Sequence, residues 1–176
     1  MPRAVYLALS RFEVLEKQGR FEEAFSLLCA LLEEPLLSER HGRELVALIH
    51  ARIAGMLRQL DRMADAEAAV SQSLSIYPTG RGYLERGMIR RALGADQQAW
   101  ADLHLALTFD HSLAAPHRVL GEIADEHHNP WQARRHYQKF LSAGGESAEV
   151  EARLRELGPA SQEWRRLLED TDDAEE

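Results

Sequence analysis

The chain has 176 residues and a formal net charge of −8, from 21 basic and 29 acidic side chains. The length favours a single domain, and a hydrophobic fraction of 45% excludes disorder throughout. The acidic balance argues against nucleic-acid partners and against a broad anionic-membrane surface. The single cysteine, Cys29, excludes an intrachain disulfide, and no apolar run is long enough for membrane insertion, so we expect a cytoplasmic protein.

The amino-acid composition and the positions of helix-breaking residues predict an all-α chain. Leu and Ala supply 51 residues, whereas the β-branched Val, Ile and Thr supply 14. Gly19, Asp61, Gly94 and the pair Asn129-Pro130 separate segments with helical apolar periodicity. The predicted helices cover 4–18, 21–34, 39–60, 63–77, 81–93, 96–109, 114–127, 130–143, 147–157 and 160–169. Helices of this length joined by short loops are typical of antiparallel hairpins packed side by side.

An internal repeat organises these hairpins. Four registers recur at spacings of 33 and 34 residues; the first two keep a small residue and the third stays apolar. The four sets are Ala54, Gly87 and Gly121; Ala66, Ala99 and Ala133; Val70, Leu103 and Tyr137; and Ser73, Ala106 and Phe140. Two helices approach closely only where one of them presents Gly or Ala, and larger apolar residues fill the space around that contact. The registers therefore predict stacked helical hairpins that share a core.

These residues resemble the tetratricopeptide repeat (TPR) family, whose unit is a helix–turn–helix of about 34 residues. The unit containing Gly87, the turn residue Gly94, Ala99, Leu103 and Ala106 matches the family pattern best. The resemblance implies an α-solenoid of about four TPR-like hairpins with a C-terminal capping helix pair. The implied divisions are repeats at about 5–37, 47–79, 80–113 and 114–146 and a cap at 147–169. The run of acidic residues predicts a disordered tail at 170–176.

The chain departs from the family pattern at several positions. Phe12 occupies the place of the small residue in the first unit, Arg90 stands where an apolar aromatic is usual, and His111 replaces a terminal proline. The junction 35–44 is longer than the repeat requires, which predicts a longer loop or an extended helix there.

No motif for catalysis is present, so we expect no enzyme activity, no cofactor and no metal site. The sequence contains no nucleophile elbow, phosphate loop or zinc-protease motif. His127, His128 and His136 form the densest histidine cluster, which could in principle reach one ion. A solvated hairpin tip is the favoured interpretation, because the cluster meets no metal-spacing pattern.

The TPR resemblance implies that the first helices of the hairpins line a concave groove for a peptide. Carried over position by position, the expected groove residues are Arg52, Arg58, Arg81, Leu84, Met88, Arg91, Arg118 and Glu122. Arginine pairs carboxylates through a planar fork, which suits an acidic peptide or a C-terminal segment of a protein partner. The alternative is that these arginines pair with Glu85 and Glu122 and only hold the repeats together. The family's carboxylate-clamp subset uses paired Asn and Lys, and this chain, with one Asn, is not assigned to it.

The expected function is a non-catalytic scaffold or adaptor that binds a partner through this groove. The alternative is a dedicated chaperone or assembly factor for a secretion-type or multiprotein complex. The sequence is also compatible with a homo-oligomer. Six of the last eight residues are acidic, so the rest of the chain carries a charge of only −2. The acidic block is predicted to be a solubilising tail, or else a competitor for the groove.

Overall fold

The computed structural model describes residues 3–33 and 42–158, and the chain divides into two compact units, 1–109 and 110–176. The described part of unit 1 contains six helices. They are α1 (Arg3–Lys17), α2 (Phe21–Leu32), α3 (Arg43–Gln59), α4 (Met63–Ile76), α5 (Gly80–Ala92) and α6 (Asp96–Phe109). Consecutive helices pair as the hairpins α1–α2, α3–α4 and α5–α6, and neighbouring hairpins pack through α2 on α3 and α4 on α5.

Unit 2 is described through residue 158. It contains α7 (Ala114–Glu126), α8 (Pro130–Ser142) and α9 (Ala148–Leu157), with α8 packed against both of the others. The N-terminus of α8 is capped by the Asn129 side chain, which accepts a hydrogen bond from the backbone N–H of Gln132. The Ser147 side chain caps α9 in the same way, accepting from Val150.

The small residues of the first register lie where the helices of a hairpin meet. A Cβ added to Gly87 of α5 would lie 3.1 Å from Cγ of Leu103 on α6. A Cβ added to Gly121 of α7 would lie 2.5 Å from Cε1 of Tyr137 on α8. In these two hairpins, glycine therefore gives the second helix room for a large buried side chain.

The turns between the paired helices share one backbone feature. Asp61, Gly94 and His128, which stand at the same position of successive repeats, have φ of 59°, 76° and 56°. A left-handed residue at the end of the first helix reverses the chain and satisfies the last helical carbonyls. Asp61 and Gly94 are among the residues that the sequence predicted to separate the helices. His128 lies immediately before the pair Asn129-Pro130, which was predicted to separate the next two helices.

The prediction of an all-α repeat is confirmed, since the described residues form helices and turns without a strand. Nine predicted helices are present, and their ends agree within one or two residues except at 39–60, which is described from Arg43 onward. Residues 34–41, the predicted helix 160–169 and the predicted tail 170–176 lie outside the described residues. No helix in the described part of the chain is long and apolar enough to cross a membrane.

Candidate functional site

In unit 1, the predicted groove residues lie on α3 and α5, whose side chains make contact. Arg58 Nε of α3 lies 3.0 Å from Glu85 Oε1 of α5. The Arg52 guanidinium lies 5.8 Å from the ring centroid of Phe12 on α1, which places α1 beside α3. We name this surface the arginine face, defined by Leu48, Arg52, Arg58, Arg81, Leu84, Glu85 and Met88.

Two arginines of this face have exposed side chains. Arg52 and Arg81 are exposed, and neither forms an ion pair with another described residue. Leu48 is 43% exposed, and Leu84 and Met88 are half-buried. The face therefore combines exposed guanidinium groups that form no ion pair with described residues and partly accessible apolar surface.

The Arg58–Glu85 pair is close but poorly aligned. Its two facing atoms are shielded from solvent and lie 3.0 Å apart, yet neither has a hydrogen-bond partner in the described part of the chain. A charged pair that lacks hydrogen bonds recovers little of its desolvation cost. The contact nevertheless matches the alternative in which arginines join neighbouring repeats.

The remaining predicted groove residues are already engaged. Arg91 of α5 is half-buried and has interactions of its own. In unit 2, Arg118 Nε lies 3.1 Å from Glu122 Oε1, one turn along α7, and the Arg118 side chain is 48% exposed. An exposed pair of this spacing contributes little to stability, so Arg118 can exchange its partner at small cost.

A buried ion network in unit 1 escaped the sequence analysis. Asp102 of α6 is 1% exposed, and its two carboxylate oxygens accept hydrogen bonds from Arg86 and Arg90 of α5 at 2.7–2.9 Å. Arg90 also donates to Glu67 of α4 at 2.8 Å. Hydrogen bonding to Asp102 raises the pKa of Arg86. Arg90 thus replaces the family's usual aromatic because α6 supplies a buried carboxylate opposite it.

A buried histidine pair in unit 2 was also missed. His136 of α8 is 6% exposed, and its Nδ1 lies 3.3 Å from Nδ1 of His117 on α7. The solvated-tip interpretation was right for the exposed His127 and His128 and wrong for His136, which faces the hairpin interior. The separation of His117 and His136 along the chain matches no metal pattern, but both histidines fall on the inner sides of their helices.

Cys29 is half-buried on α2 and packs at the edge of the unit 1 core. Burial, with a smaller effect from Glu33, raises the pKa of its thiol. A raised pKa lowers the thiolate fraction at neutral pH, which agrees with a packing role for Cys29.

Comparison with known proteins identifies the fold. No family model matches the sequence, and no curated protein matches it. Among solved structures, MamA has a TM-score of 0.73 at 13% identity, over 98% of this chain and 88% of that one. A tetratricopeptide repeat protein from Parabacteroides merdae has a TM-score of 0.74 at 14% identity, over 89% of this chain and 60% of that one.

A third structure contains a bound peptide. The first TPR of Spaghetti (RPAP3), bound to the HSP90 peptide SRMEEVD, has a TM-score of 0.60 at 16% identity, over 65% of this chain and 94% of that one. Structural similarity at such low sequence identity indicates a shared fold and does not indicate a shared ligand. The chain therefore adopts the tetratricopeptide repeat fold, as its residue pattern predicted.

Proposed function

We propose that this protein is a non-catalytic scaffold or adaptor of the cytoplasm whose arginine face binds an acidic peptide or C-terminal segment of a protein partner. The observation that carries the proposal is the exposure of Arg52 and Arg81, which lack carboxylate partners among the described residues. Each guanidinium can donate two parallel hydrogen bonds to one carboxylate, and such charge-assisted pairs are among the stronger hydrogen bonds.

The surroundings of these arginines favour a peptide over a small anion. Leu48, Leu84 and Met88 offer apolar contact beside the two charges. Arg58 adds a third guanidinium, whose Nε makes no hydrogen bond with Glu85. An acidic peptide with one or two apolar side chains would use both kinds of contact, whereas a free phosphate would use only the charges.

The Spaghetti structure supports this chemistry by analogy. Its bound peptide, SRMEEVD, ends in two glutamates, a valine and an aspartate. The present chain lacks the Asn and Lys pattern of the carboxylate clamp, so arginine would have to supply the carboxylate contacts. The analogy concerns the peptide's charge and apolar content, and the position of contact is our proposal.

The proposal can be tested with a library of fluorescein-labelled acidic peptides that have free C-terminal carboxylates. We expect Arg52→Glu/Arg81→Glu to weaken binding of the best peptide at least about tenfold, since two charge-assisted contacts become repulsive. The matched control is Arg43→Glu/Arg155→Glu, which makes the same charge change at exposed arginines outside the arginine face. Equal losses in both variants, or no loss in the first, would contradict the proposal.

The alternative of a dedicated chaperone is favoured by a different observation. Tyr6, Leu7 and Val14 of α1 are 64%, 57% and 52% exposed, which gives the first helix an apolar outer surface. A chaperone would shield apolar segments of its client there. If Leu7→Glu/Val14→Glu causes a captured partner to aggregate while acidic-peptide binding is unchanged, the chaperone function is supported.

A further inference from the structure

The His117–His136 pair brings two potential metal ligands together inside one hairpin. The Nδ1 atoms are 3.3 Å apart, the ring centroids are 5.5 Å apart, and the ring planes are inclined by 34°. His136 is almost fully buried, whereas His117 is half-buried and gives the pair a side open to solvent. The two histidines come from adjacent helices, and the packing of α7 on α8 brings their rings together.

We propose that this pair is a bidentate site for a divalent first-row cation that favours imidazole, Zn²⁺ or Cu²⁺. Two nitrogens bound tetrahedrally to zinc at about 2.0–2.1 Å are about 3.3–3.4 Å apart. The observed separation of 3.3 Å meets this requirement without movement of the helices. Imidazole nitrogen is the commonest protein ligand for such ions.

Binding requires a rearrangement of protons within the pair. A hydrogen bond between two neutral imidazoles needs one Nδ1 to carry the proton and the other to accept it. A metal on both Nδ1 atoms needs two lone pairs, so the donor ring must carry its proton on Nε2 instead. This is a change of tautomer with no net proton release, and the metal replaces the hydrogen bond as the link between α7 and α8.

The site would be open and exchangeable. In the described part of the chain, no third His, Cys, Asp or Glu joins the pair in a group able to hold a metal. Water or an external ligand must complete the coordination, in contrast to the closed set of four ligands in structural zinc sites. The pair would therefore hold metal reversibly and add stability to a hairpin that folds without it.

The local sequence shows that histidine is not required at these positions for packing. The corresponding residues of the preceding repeat are Tyr83 and Asp102, and those of the repeat before it are His50 and Ala69. The α7–α8 hairpin is the one of these three that has imidazole at both positions. Repeats of the same fold thus pack with other residues in both places.

The test is a titration of the full-length chain with Zn²⁺, and separately with Cu²⁺, followed by ¹⁵N NMR of the imidazole nitrogens. We expect Zn²⁺ to shift the Nδ1 signals of His117 and His136 and to raise the unfolding midpoint by a few degrees, and Cu²⁺ to broaden the same signals first. The variants His117→Gln and His136→Gln should lose the rise in midpoint, and His127→Gln/His128→Gln should keep it.

Residue-specific detection is needed because the chain has eight histidines and an acidic C-terminal block that also attract cations. Metal-induced changes confined to His127, His128 or the carboxylates would overturn the proposal. So would a rise in midpoint that persists in His117→Gln, which is the variant at the more exposed position and the safer one for folding.

Discussion

The hairpins α5–α6 and α7–α8 place different polar groups at the same position of the repeat. Asp102 and His136 occupy equivalent positions of successive repeats, and both are buried on the second helix of their hairpin. Asp102 is held by two arginines of the first helix, whereas His136 meets one histidine of the first helix. In the α3–α4 hairpin the corresponding residue is Ala69, which needs no partner.

The difference shows how one fold tolerates polar residues at a core position. A buried carboxylate requires compensating charge, and two arginines on successive turns of α5 supply it. A neutral imidazole has one N–H donor and one acceptor nitrogen, and in this pair the two Nδ1 atoms face each other. A metal bound to both Nδ1 atoms would replace that contact. The α5–α6 hairpin therefore has one favourable set of polar contacts, the ion pairs of Asp102. In the α7–α8 hairpin, the His117–His136 pair can form either a hydrogen bond or the proposed metal site.

The largest expected effect on stability is at Asp102 in the α5–α6 hairpin. Asp102→Ala leaves Arg86 and Arg90 as partly buried charges, with side-chain exposures of 17% and 19%. We expect the free energy of unfolding to fall by about 3 kcal/mol, because Arg86 loses its carboxylate partner inside the hairpin while Arg90 keeps its pair with Glu67. Urea denaturation measures this change.

Asp65→Ala is the matched control, since it removes an aspartate from an exposed pair with Arg62, in which both side chains are about half exposed. That loss should be below about 1 kcal/mol. Similar losses in the two variants would show that the buried Asp102 network contributes no more to the free energy of unfolding than an exposed ion pair. Replacing Asp102, Arg86 and Arg90 together by apolar residues of similar volume should recover much of the stability.

The same comparison explains how far the sequence could predict this protein. The helices, their turns and the meeting of Gly87 with Leu103 follow from periodicity, because they depend on residues of fixed size at fixed spacing. The partners of Asp102 and His136 do not follow, because polar pairing depends on side-chain rotamers and has no period. The assignment of the groove residues remains a prediction. Arg58 contacts Glu85 and Arg118 contacts Glu122, as the alternative of a structural role for these arginines also predicts.

The contact at the helix crossing should also differ between the hairpins. Gly121→Ala would place a Cβ 2.5 Å from the buried Tyr137 ring, whereas Gly87→Ala would place one 3.1 Å from Leu103. We expect Gly121→Ala to cost about 2 kcal/mol from overpacking. Gly87→Ala should stay within about 0.5 kcal/mol of wild type, because the gain in helix propensity offsets the tight contact.

A double variant checks the assigned cause. If the Tyr137 ring is responsible, Gly121→Ala should cost less in a Tyr137→Leu background, which restores the aliphatic partner found at Leu103. Thermal or urea unfolding of the four proteins of this cycle gives the coupling energy. Equal costs in both backgrounds would assign the effect to the backbone instead.

A smaller effect is expected at the turns, where the two hairpins again differ. Gly94 and His128 both have positive φ, and this conformation is costly for every residue with a Cβ. Gly94→Ala should therefore lower the free energy of unfolding by about 1 kcal/mol. His128→Gly should raise it by about 0.5 kcal/mol, because relief of strain outweighs the added freedom of the unfolded chain. Changes of the same sign in the two variants would contradict this assignment.

The smallest effect concerns a single histidine that lacks the partner found in α7–α8. His50 of α3 corresponds to His117 in the repeat, but the second helix offers Ala69 in place of a histidine. Burial lowers the pKa of His50, so the unfolded chain takes up a proton at higher pH than the folded chain. The stability due to neutral His50 is therefore full above the unfolded pKa of about 6.5 and is lost as the pH falls below it. His50→Gln should reduce the drop in unfolding midpoint between pH 7.5 and pH 5.5, whereas His111→Gln, at an exposed position, should leave that drop as in wild type.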